Sequence, residues 1–310
     1  FSMGRRGRYR VELFHGANRF WLRGRWVTGP DWKMSLVVFL AMVIPWLLLI
    51  VCVLPWLVVH WVPGGCIALV ISLVLGFVMI PSFLSAATSD PGIIPRSDEH
   101  AEEIKSDPSR IRERTLLING KPYRNRYCET CRIWRPPRAS HCSTCNNCVE
   151  RFDHHCPYLG NCVGRRNYRA FYAFVFSAAL QTLLAILVCV AFLVVRTQRF
   201  AEAGDDSSDS PFLRTLRSWQ TPIVFILAGY CFLAFLFTGT LSAFHVYLMS
   251  INSTTAEKVK KTFKELANPF PERGWRSMRI LLLSKKPRSK LKKGYEGPPT
   301  DFDMTSVIIE

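Results

Sequence analysis

Three neighbouring residues near the middle of the chain have side chains suited to covalent catalysis. The stretch RFDHHCPYLGNCVG, residues 151 to 164, places Asp153 and two histidines directly before Cys156. A cysteine thiolate is a nucleophile, an imidazole can take up its proton, and a carboxylate can orient the imidazole. The stretch therefore predicts a nucleophile, a base and an orienting group, if one of the two histidines is free to act on Cys156.

Cysteines are concentrated around the same stretch. Seven of the 11 cysteines lie between residues 128 and 162, together with three histidines, which makes ten candidate metal ligands. Cys128 begins one C-x-x-C pair and Cys142 begins a second, and such pairs supply two zinc ligands on one tight turn. Two closed tetrahedral zinc sites would use eight of the ten candidates. Counting leaves two over, and it does not decide whether His154 or His155 is one of them.

Four long apolar runs must position this region. Each is about 22 to 28 residues long and contains no Lys, Arg, Asp or Glu, which is enough to cross roughly 30 Å of hydrocarbon. A buried helix of a soluble protein would carry a polar stripe at helical spacing, and none of the runs does. The predicted spans are Ser35 to Val59, Cys66 to Ala87, Ala170 to Val195 and Pro222 to Met249.

The basic residues predict the orientation of these spans. Lys and Arg number 8 in residues 1–34, 15 in 88–169 and 13 in 250–310, against none in 60–65 and 4 in 196–221. The positive-inside rule places the three basic segments in the cytosol. A net charge of +17 distributed in this way favours anionic membrane lipids over nucleic acid as the partner. Because cytosolic thiols stay reduced, the cysteine-rich segment is predicted to bind metal rather than to form disulfides.

The predicted fold is an all-α membrane protein with four transmembrane helices and a cytosolic two-zinc cysteine-rich domain between helices 2 and 3. Both termini are predicted to be cytosolic. The predicted divisions are a basic N-terminal arm at 1–34, transmembrane helices 1 and 2 at 35–87, the cysteine-rich domain at 88–169, transmembrane helices 3 and 4 at 170–249 with a luminal loop at 196–221, and a C-terminal tail at 250–310.

Gln181 is a polar residue inside the third predicted span. It indicates either an interhelical hydrogen bond or the end of a cavity for an acyl chain. The hydrogen bond is the favoured interpretation.

The motifs of the chain resemble those of the DHHC cysteine-rich protein S-acyltransferases, membrane enzymes that palmitoylate cytosolic cysteines. The resemblance covers Cys128 to Asn167 and the four-span topology. It also includes Asp90-Pro91-Gly92 after the second span, Thr254-Thr255-Ala256-Glu257 after the fourth span, and Asn268 and Phe270 in the tail.

The resemblance implies two structural zinc ions and a role for each residue of the opening stretch. It implies that His155 binds metal, so that Cys156 is the nucleophile, His154 is its base and Asp153 orients His154. The implied ligands are Cys128, Cys131, His141 and Cys148 for one zinc and Cys142, Cys145, His155 and Cys162 for the other.

The implied reaction has two half-reactions. Cys156 takes a palmitoyl group from palmitoyl-CoA and passes it to a cysteine of a cytosolic or membrane-associated protein, which predicts ping-pong kinetics. Arg135, Arg138, Arg165, Arg166 and Arg169 flank the cysteine-rich segment in positions that could bind coenzyme A phosphates, and Arg138, Arg165 and Arg166 are the expected contacts. Lipid headgroups are an equal alternative for any one of them. Tyr158, where the family usually has tryptophan, is expected to lie near the thioester.

The segment NRFWLRGRWVTGPD before the first span resembles the branch of the family that includes Ras-palmitoylating enzymes. That resemblance implies Ras-like GTPases as substrates and a small accessory subunit as partner. It also implies an endomembrane location, in the endoplasmic reticulum or the Golgi.

A membrane-anchored zinc module that binds partners, such as a scaffold or a ubiquitin ligase, is the alternative interpretation. Interleaved zinc ligands fit that class as well. Asp153, His154 and Cys156 distinguish the two classes, because a binding module does not require them.

Overall fold

The computed structural model describes residues 16–22, 25–106, 112–204, 209–264, 267–270 and 274–291. Among these residues, four helices are long and apolar enough to cross a membrane. They run Trp32–His60, Gly64–Thr88, Tyr168–Glu202 and Thr221–Ser250. The predicted four transmembrane helices are therefore confirmed, and the chain has the character of a multi-pass membrane protein.

The first spanning helix changes its hydrogen-bonding pattern near its end. Helix α1 (Trp32–Leu48) passes into a π-helical turn (Leu49–Val53) and then into α2 (Leu54–His60). Pro55 has no N–H to donate, and its ring crowds the carbonyl four residues earlier. The chain accommodates it by widening, so that the N–H of Leu54 bonds to the carbonyl of Leu49.

The remaining helices comprise the other three spans and several short helices. They are α3 (Gly64–Thr88), α4 (Glu102–Ser106), α5 (Tyr168–Glu202), α6 (Pro211–Leu216), α7 (Thr221–Ser250), α8 (Thr255–Val259) and α9 (Gly274–Leu283). A capping box starts α8, because Thr254 accepts from the N–H of Glu257 while the Glu257 carboxylate accepts from the N–H of Thr254.

Short antiparallel strands, which the sequence analysis did not place, build the cysteine-rich region and its surroundings. They are β1 (Arg19–Trp21), β2 (Trp26–Thr28), β3 (Ile93–Ile94), β4 (Glu113–Ile118), β5 (Lys121–Cys128), β6 (Ile133–Trp134), β7 (Ser140–Cys142), β8 (Asn147–Val149), β9 (His154–Cys156) and β10 (Asn161–Val163). The sheets pair in the orders β1-β2, β3-β8-β7, β4-β5-β6 and β9-β10. Except for β4 and β5, with six and eight residues, the described strands have only two or three residues each. Strands of two or three residues bury little apolar surface, so other bonds must stabilise the region around the ligands.

The chain forms two compact units. One consists of Phe1–Leu36, Leu84–Phe171 and His245–Glu310, and it contains every residue that the sequence analysis singled out for catalysis, metal or coenzyme A. The other consists of Val37–Phe83 and Tyr172–Phe244. In this second unit Gln181 is buried and hydrogen-bonds the hydroxyl of Ser72 at 3.1 Å, which is the interhelical bond favoured above.

Candidate active site and metal clusters

The hairpin of β9 and β10 separates the two adjacent histidines. His155 pairs with Cys162, and Cys156 pairs with Asn161. Successive side chains of a strand point to opposite faces. His154 and Cys156 therefore share one face of β9, and His155 lies on the other face. This alternation decides which histidine can act on Cys156.

Two groups of ligands, each of three cysteines and one histidine, are assembled among the described residues. In each group the ligand atoms all lie within 4.8 Å of one another. The groups are Cys128, Cys131, His141 and Cys148, and Cys142, Cys145, His155 and Cys162. They are the two sets predicted above.

The spacing of the ligand atoms fits a tetrahedral zinc ion. Nδ1 of His155 lies 3.4 Å from the sulfur of Cys145 and 3.5 Å from that of Cys162. Nδ1 of His141 lies 3.5 Å from the sulfur of Cys128. Zinc bonds of about 2.3 Å to sulfur and about 2.05 Å to nitrogen place tetrahedral ligands about 3.6 Å apart.

The chemistry of the thiols also fits a cation. Hydrogen bonding to the Cys142 sulfur, reinforced by burial, raises the pKa of Cys162 well above its ordinary range. The Cys128 sulfur likewise raises the pKa of Cys148. Three packed thiols therefore cannot all ionise unless a cation neutralises them, and three cysteines with one histidine are a typical structural zinc set.

Asp153 is held by three hydrogen bonds around its buried carboxylate. One oxygen lies 2.7 Å from Nδ1 of His154 and accepts from the hydroxyl of Thr255 at 2.7 Å. The other accepts from the backbone N–H of Thr255 at 3.0 Å. The backbone N–H of Ala256 also donates to the Asp153 carbonyl at 2.9 Å. The start of α8 therefore fixes the carboxylate that orients His154.

The ring of His154 is partly shielded from solvent, with 27% of the side chain exposed, and is polarised by its neighbours. It packs edge-on against Phe171 and lies 6.2 Å, centroid to centroid, from His245. Burial lowers the pKa of His154, but the hydrogen bond to Asp153 and the adjacent Cys156 thiol outweigh burial and raise it to about 9. A protonated ring in this position favours negative charge on the Cys156 sulfur.

Two residues at this site were not identified from the sequence. His245, buried in α7, hydrogen-bonds the hydroxyl of Tyr168 at 3.0 Å beside His154. Asp31, just before α1, accepts from Nε2 of His155 at 2.9 Å. His245 is the one histidine of the apolar run 222–249, a signal that could have been followed, whereas Asp31 lies far from the cysteines in the sequence.

Comparisons with known proteins agree with this geometry. The DHHC palmitoyltransferase family model matches residues 121–262. Palmitoyltransferase ZDHHC18 of Mus musculus is 36% identical over 274 residues, which cover 84% of this chain and 67% of the relative. The Homo sapiens protein of the same name is 38% identical over 274 residues, with 84% and 66% covered.

The chain belongs to the DHHC palmitoyltransferase family. A plant relative, Protein S-acyltransferase 8 of Arabidopsis thaliana, is 36% identical over 265 residues, which cover 80% of this chain and 62% of the relative. The chain thus spans less than two thirds of this plant protein. The matched DHHC domain contains both ligand groups and also Asp153, His154, Cys156 and Thr255. Asp31 lies outside it.

Arg138, expected to bind coenzyme A phosphates, is instead committed to a buried ion pair of the DHHC domain. Its guanidinium donates two hydrogen bonds of 2.8 Å to the carboxylate of Glu257. A third bond, of 2.9 Å, reaches Oδ1 of Asn252, and the ring of Phe270 lies 4.4 Å away. Only 7% of the Arg138 side chain is exposed. Its placement argues for a structural role that links α8 and the tail to the zinc-binding fold.

Arg166 is also withdrawn from the surface. It forms an ion pair with Asp90 and donates to the carbonyl of Pro287 at 3.1 Å, and 7% of its side chain is exposed. Asp90 additionally accepts from the N–H of Gly92 at 2.8 Å, in the turn after the second span. This placement argues against the expected phosphate contact.

The other two expected coenzyme A residues are accessible. Arg165 pairs with Glu150 at 3.8 Å and lines a cavity of about 270 Å³ that is also bordered by Arg151 and Lys290. Tyr158 is 53% exposed in the turn between β9 and β10.

A second cavity, of about 390 Å³, is lined by several cationic side chains. Arg126, Arg135 and Lys260 line it together with Phe152, the neighbour of Asp153. Burial, and then the like charges of Arg135 and Arg126, lower the pKa of Lys260. The Nε of Arg135 is buried and has no hydrogen-bond partner within the described part of the chain. Converging cations with an unpaired donor indicate an anion site.

Proposed function

We propose that the protein is a protein S-acyltransferase that moves a palmitoyl group from palmitoyl-CoA, through Cys156, to cysteines of other proteins. The observation that carries the proposal is the arrangement in which Asp153 holds His154 and His154 lies on the same face as Cys156. The carboxylate of Asp153 is buried and bound to the His154 ring at 2.7 Å. His154 shares a face of β9 with Cys156.

In the first half-reaction, the Cys156 thiolate attacks the carbonyl carbon of the acyl thioester. A new bond forms from Cys156 sulfur to that carbon, and the bond from carbon to the coenzyme A sulfur breaks. The proton of the Cys156 thiol goes to His154, whose other nitrogen is held by Asp153. The departing coenzyme A thiolate can take that proton back from His154.

In the second half-reaction, a thiol of the acceptor protein attacks the acyl-enzyme. His154 takes the acceptor's proton, the bond from carbon to Cys156 breaks, and Cys156 leaves as a thiolate. The free enzyme is restored, and no oxidant or additional nucleophile is consumed. Such a sequence predicts ping-pong kinetics.

Zinc in both clusters would contribute stability and position rather than reactivity. Each cluster supplies a full set of four protein ligands, as structural zinc sites do. His155 lies between His154 and Cys156 in β9, so its bond to metal would restrain the strand that carries both reactive groups.

We propose that Arg126, Arg135 and Lys260, rather than Arg138 and Arg166, bind the phosphates of coenzyme A. The cations converge on the cavity beside Phe152, which Glu257 also lines. Arg126 forms an exposed ion pair with Glu113 at 2.9 Å, whereas the pair of Arg138 with Glu257 is buried. Arg165 and Tyr158 remain predicted contacts, because both are accessible.

We propose that the catalytic unit faces the cytosol of an endomembrane compartment, the endoplasmic reticulum or the Golgi. The basic residues in 88–169 and 250–310 support the cytosolic orientation. The partners proposed are proteins with cytosolic cysteines, Ras-like GTPases among them, and a small accessory subunit. The relatives' names, Protein S-acyltransferase and Palmitoyltransferase, support proteins as acceptors and palmitoyl as the group transferred. They do not bear on Ras-like GTPases or on an accessory subunit.

Labelled palmitoyl-CoA tests the first half-reaction directly. The purified chain and Cys156→Ser are incubated with the label, treated with hydroxylamine and assayed for zinc. We expect a hydroxylamine-labile label on the unmodified chain alone and about two zinc ions per chain in both proteins. The accessory subunit is tested by repeating the reaction with a co-expressed candidate subunit.

Transfer to an acceptor tests the second half-reaction. Addition of a cysteine-containing acceptor peptide should discharge the labelled enzyme, and an alanine version of the peptide should not. If zinc-loaded protein takes up no label at Cys156, with or without the accessory subunit, the acyltransferase proposal fails and the zinc-module interpretation is favoured.

A further inference from the structure

The segment that precedes α1 packs directly on the second ligand group. The backbone N–H of Ala17 donates to the carbonyl of Cys145, itself a ligand, at 2.8 Å. The N–H of Gly29 donates to the carbonyl of Gly160, in the turn between β9 and β10, at 2.6 Å. This segment lies outside the matched family domain, which begins at residue 121.

Two glycines make the approach of the chains possible. A Cβ on Gly160 would lie 2.8 Å from the backbone of Trp32, and a Cβ on Gly29 would lie 2.7 Å from the carbonyl oxygen of Gly160. Contacts below 3 Å leave no room for a side chain on either partner. The backbone on both sides of Asp31 is thereby fixed against the β9–β10 turn.

Asp31 contacts the ring nitrogen of His155 that does not face the cysteines. Nδ1 of His155 points to the sulfurs of Cys145 and Cys162 at 3.4 and 3.5 Å. Nε2 lies 2.9 Å from the carboxylate of Asp31. A neutral imidazole that uses Nδ1 as a metal ligand must carry its proton on Nε2, and that proton needs an acceptor. Asp31 supplies it.

Within the described part of the chain, the first ligand group has no counterpart of this contact. His141 also directs Nδ1 toward its cysteines, at 3.4 Å from Cys131. The described residues offer no hydrogen-bond acceptor to its Nε2. The two groups therefore differ in the partner of the histidine, although both have the same donor set.

We infer that Asp31 is a positioning residue for the second zinc site, outside the DHHC domain, that selects the Nδ1-ligating form of His155. A carboxylate behind a ligating histidine fixes its tautomer and ring orientation and strengthens the metal bond. Because His155 lies between His154 and Cys156, the same contact ties the segment before α1 to the reactive strand. The inference requires that the clusters bind zinc, and it does not depend on acyl transfer.

Chelator-driven zinc loss from the purified chain tests the inference. Asp31→Ala is compared with the unmodified chain, with Asp31→Asn, and with Asp98→Ala as a control at an exposed aspartate. Zinc release is followed with a colorimetric chelator, and newly exposed cysteines are alkylated and located by mass spectrometry. No step of the assay involves palmitoyl-CoA.

We expect Asp31→Ala to release one of its zinc ions about 10- to 100-fold faster than the unmodified chain. Alkylation should then appear at Cys142, Cys145 and Cys162, while the cysteines of the first group remain protected. Asp31→Asn, whose amide oxygen still accepts the proton of Nε2, should fall between Asp31→Ala and the unmodified chain. Asp98→Ala should release both ions at the unmodified rate.

Three results would overturn the inference. One is unchanged zinc release in Asp31→Ala. A second is equal acceleration from both groups with a lowered melting temperature, which would indicate general unfolding. A third is release from the first group alone. If Asp31→Ala fails to fold, the order of Asp31→Asn and the unmodified chain decides, since the amide keeps the shape of the side chain.

Discussion

The carboxylate of Asp153 accepts two hydrogen bonds from Thr255, at 3.0 Å from its backbone N–H and at 2.7 Å from its hydroxyl. The two residues are 102 positions apart. The contact connects the first turn of α8 to the group that orients His154. The Thr-Thr-x-Glu motif therefore contacts the proposed catalytic group in addition to capping α8.

Thr255→Val should slow acylation of Cys156 without loss of zinc. A hydrogen bond to a charged group contributes about 1.5 to 3 kcal/mol, so we expect at least about a 10-fold lower rate if that bond acts in the transition state. The rate of labelling by palmitoyl-CoA measures the effect. Thr255→Ser keeps the hydroxyl and should retain most of the rate. A Thr255→Val rate equal to that of the unmodified chain would contradict the role of the bond.

Glu257→Gln should destabilise the catalytic unit, because it leaves the buried charge of Arg138 without its carboxylate partner. Arg138 and Glu257 are 7% and 9% exposed, and breaking a buried pair by removing one partner costs about 3 to 5 kcal/mol. The remaining amide hydrogen bonds place the expected loss at the lower end. Thermal unfolding measures it, with Glu99→Gln as a control because Glu99 forms an exposed pair with Lys105.

The stabilising effect of Glu257 should depend on pH. Burial raises the pKa of Glu257, but the charge and hydrogen bonds of Arg138 outweigh burial and lower it below the ordinary 4.5. A lowered pKa means that the stabilisation is complete above that ordinary value and is lost as the pH falls through the folded-state value. The difference in melting temperature between the unmodified chain and Glu257→Gln should be constant at neutral pH and shrink below about pH 4.5.

Arg135→Ala and Lys260→Ala should weaken the binding of coenzyme A. Loss of a charged phosphate contact should raise KM for palmitoyl-CoA about 5- to 10-fold while kcat changes little. Initial rates over a range of donor concentrations separate the two constants. Lys105→Ala is the control, since Lys105 is paired with Glu99 and does not line that cavity. A fall in kcat at unchanged KM would exclude the phosphate role.

Gly160→Ala should be far more damaging than Gly120→Ala. Both glycines have positive φ, +59° and +70°, so both substitutions carry about 1 to 2 kcal/mol of backbone strain. A Cβ on Gly160 would also lie 2.8 Å from the backbone of Asp31 and Trp32, whereas a Cβ on Gly120 would meet nothing within 4 Å. Melting temperature and zinc content measure the difference, and equal losses would contradict the close packing of the segment before α1 on this turn.

Much of the architecture could be predicted from the sequence because it depends on local properties. Apolar runs of sufficient length indicated four spans, and all four are long helices. The spacing of cysteines indicated two zinc sites, and two ligand groups are assembled with the predicted members. The strands were not placed. Segments of two or three residues such as Ile93–Ile94 have too little periodicity to distinguish a strand from a turn. The hairpin of β4 and β5, with strands of six and eight residues, was long enough to be found and was missed.

The buried ion pairs of Arg138 and Arg166 could not be predicted from the sequence, for a different reason. Sequence composition places Arg138 and Arg166 beside the cysteines, but it does not show whether a carboxylate will meet them. Glu257 lies 119 positions from Arg138, and Asp90 lies 76 positions from Arg166. Each pair forms only when distant segments pack together, and pairing leaves neither guanidinium accessible to a ligand.

The sequence by itself determined the chemical content of the site: a nucleophile, two histidines, a carboxylate and the ligands for two metals. Counting ligands left the roles of the two histidines open, and the family resemblance implied that His155 binds metal. Only the tertiary structure placed the two rings on opposite faces of β9. His154 and His155 are chemically identical neighbours, and the alternation of side chains along β9 directs one toward the face of Cys156 and the other toward the metal ligands. Asp153 and Asp31 then hold one ring each, and Asp31 reaches His155 across 124 residues because folding brings their segments together.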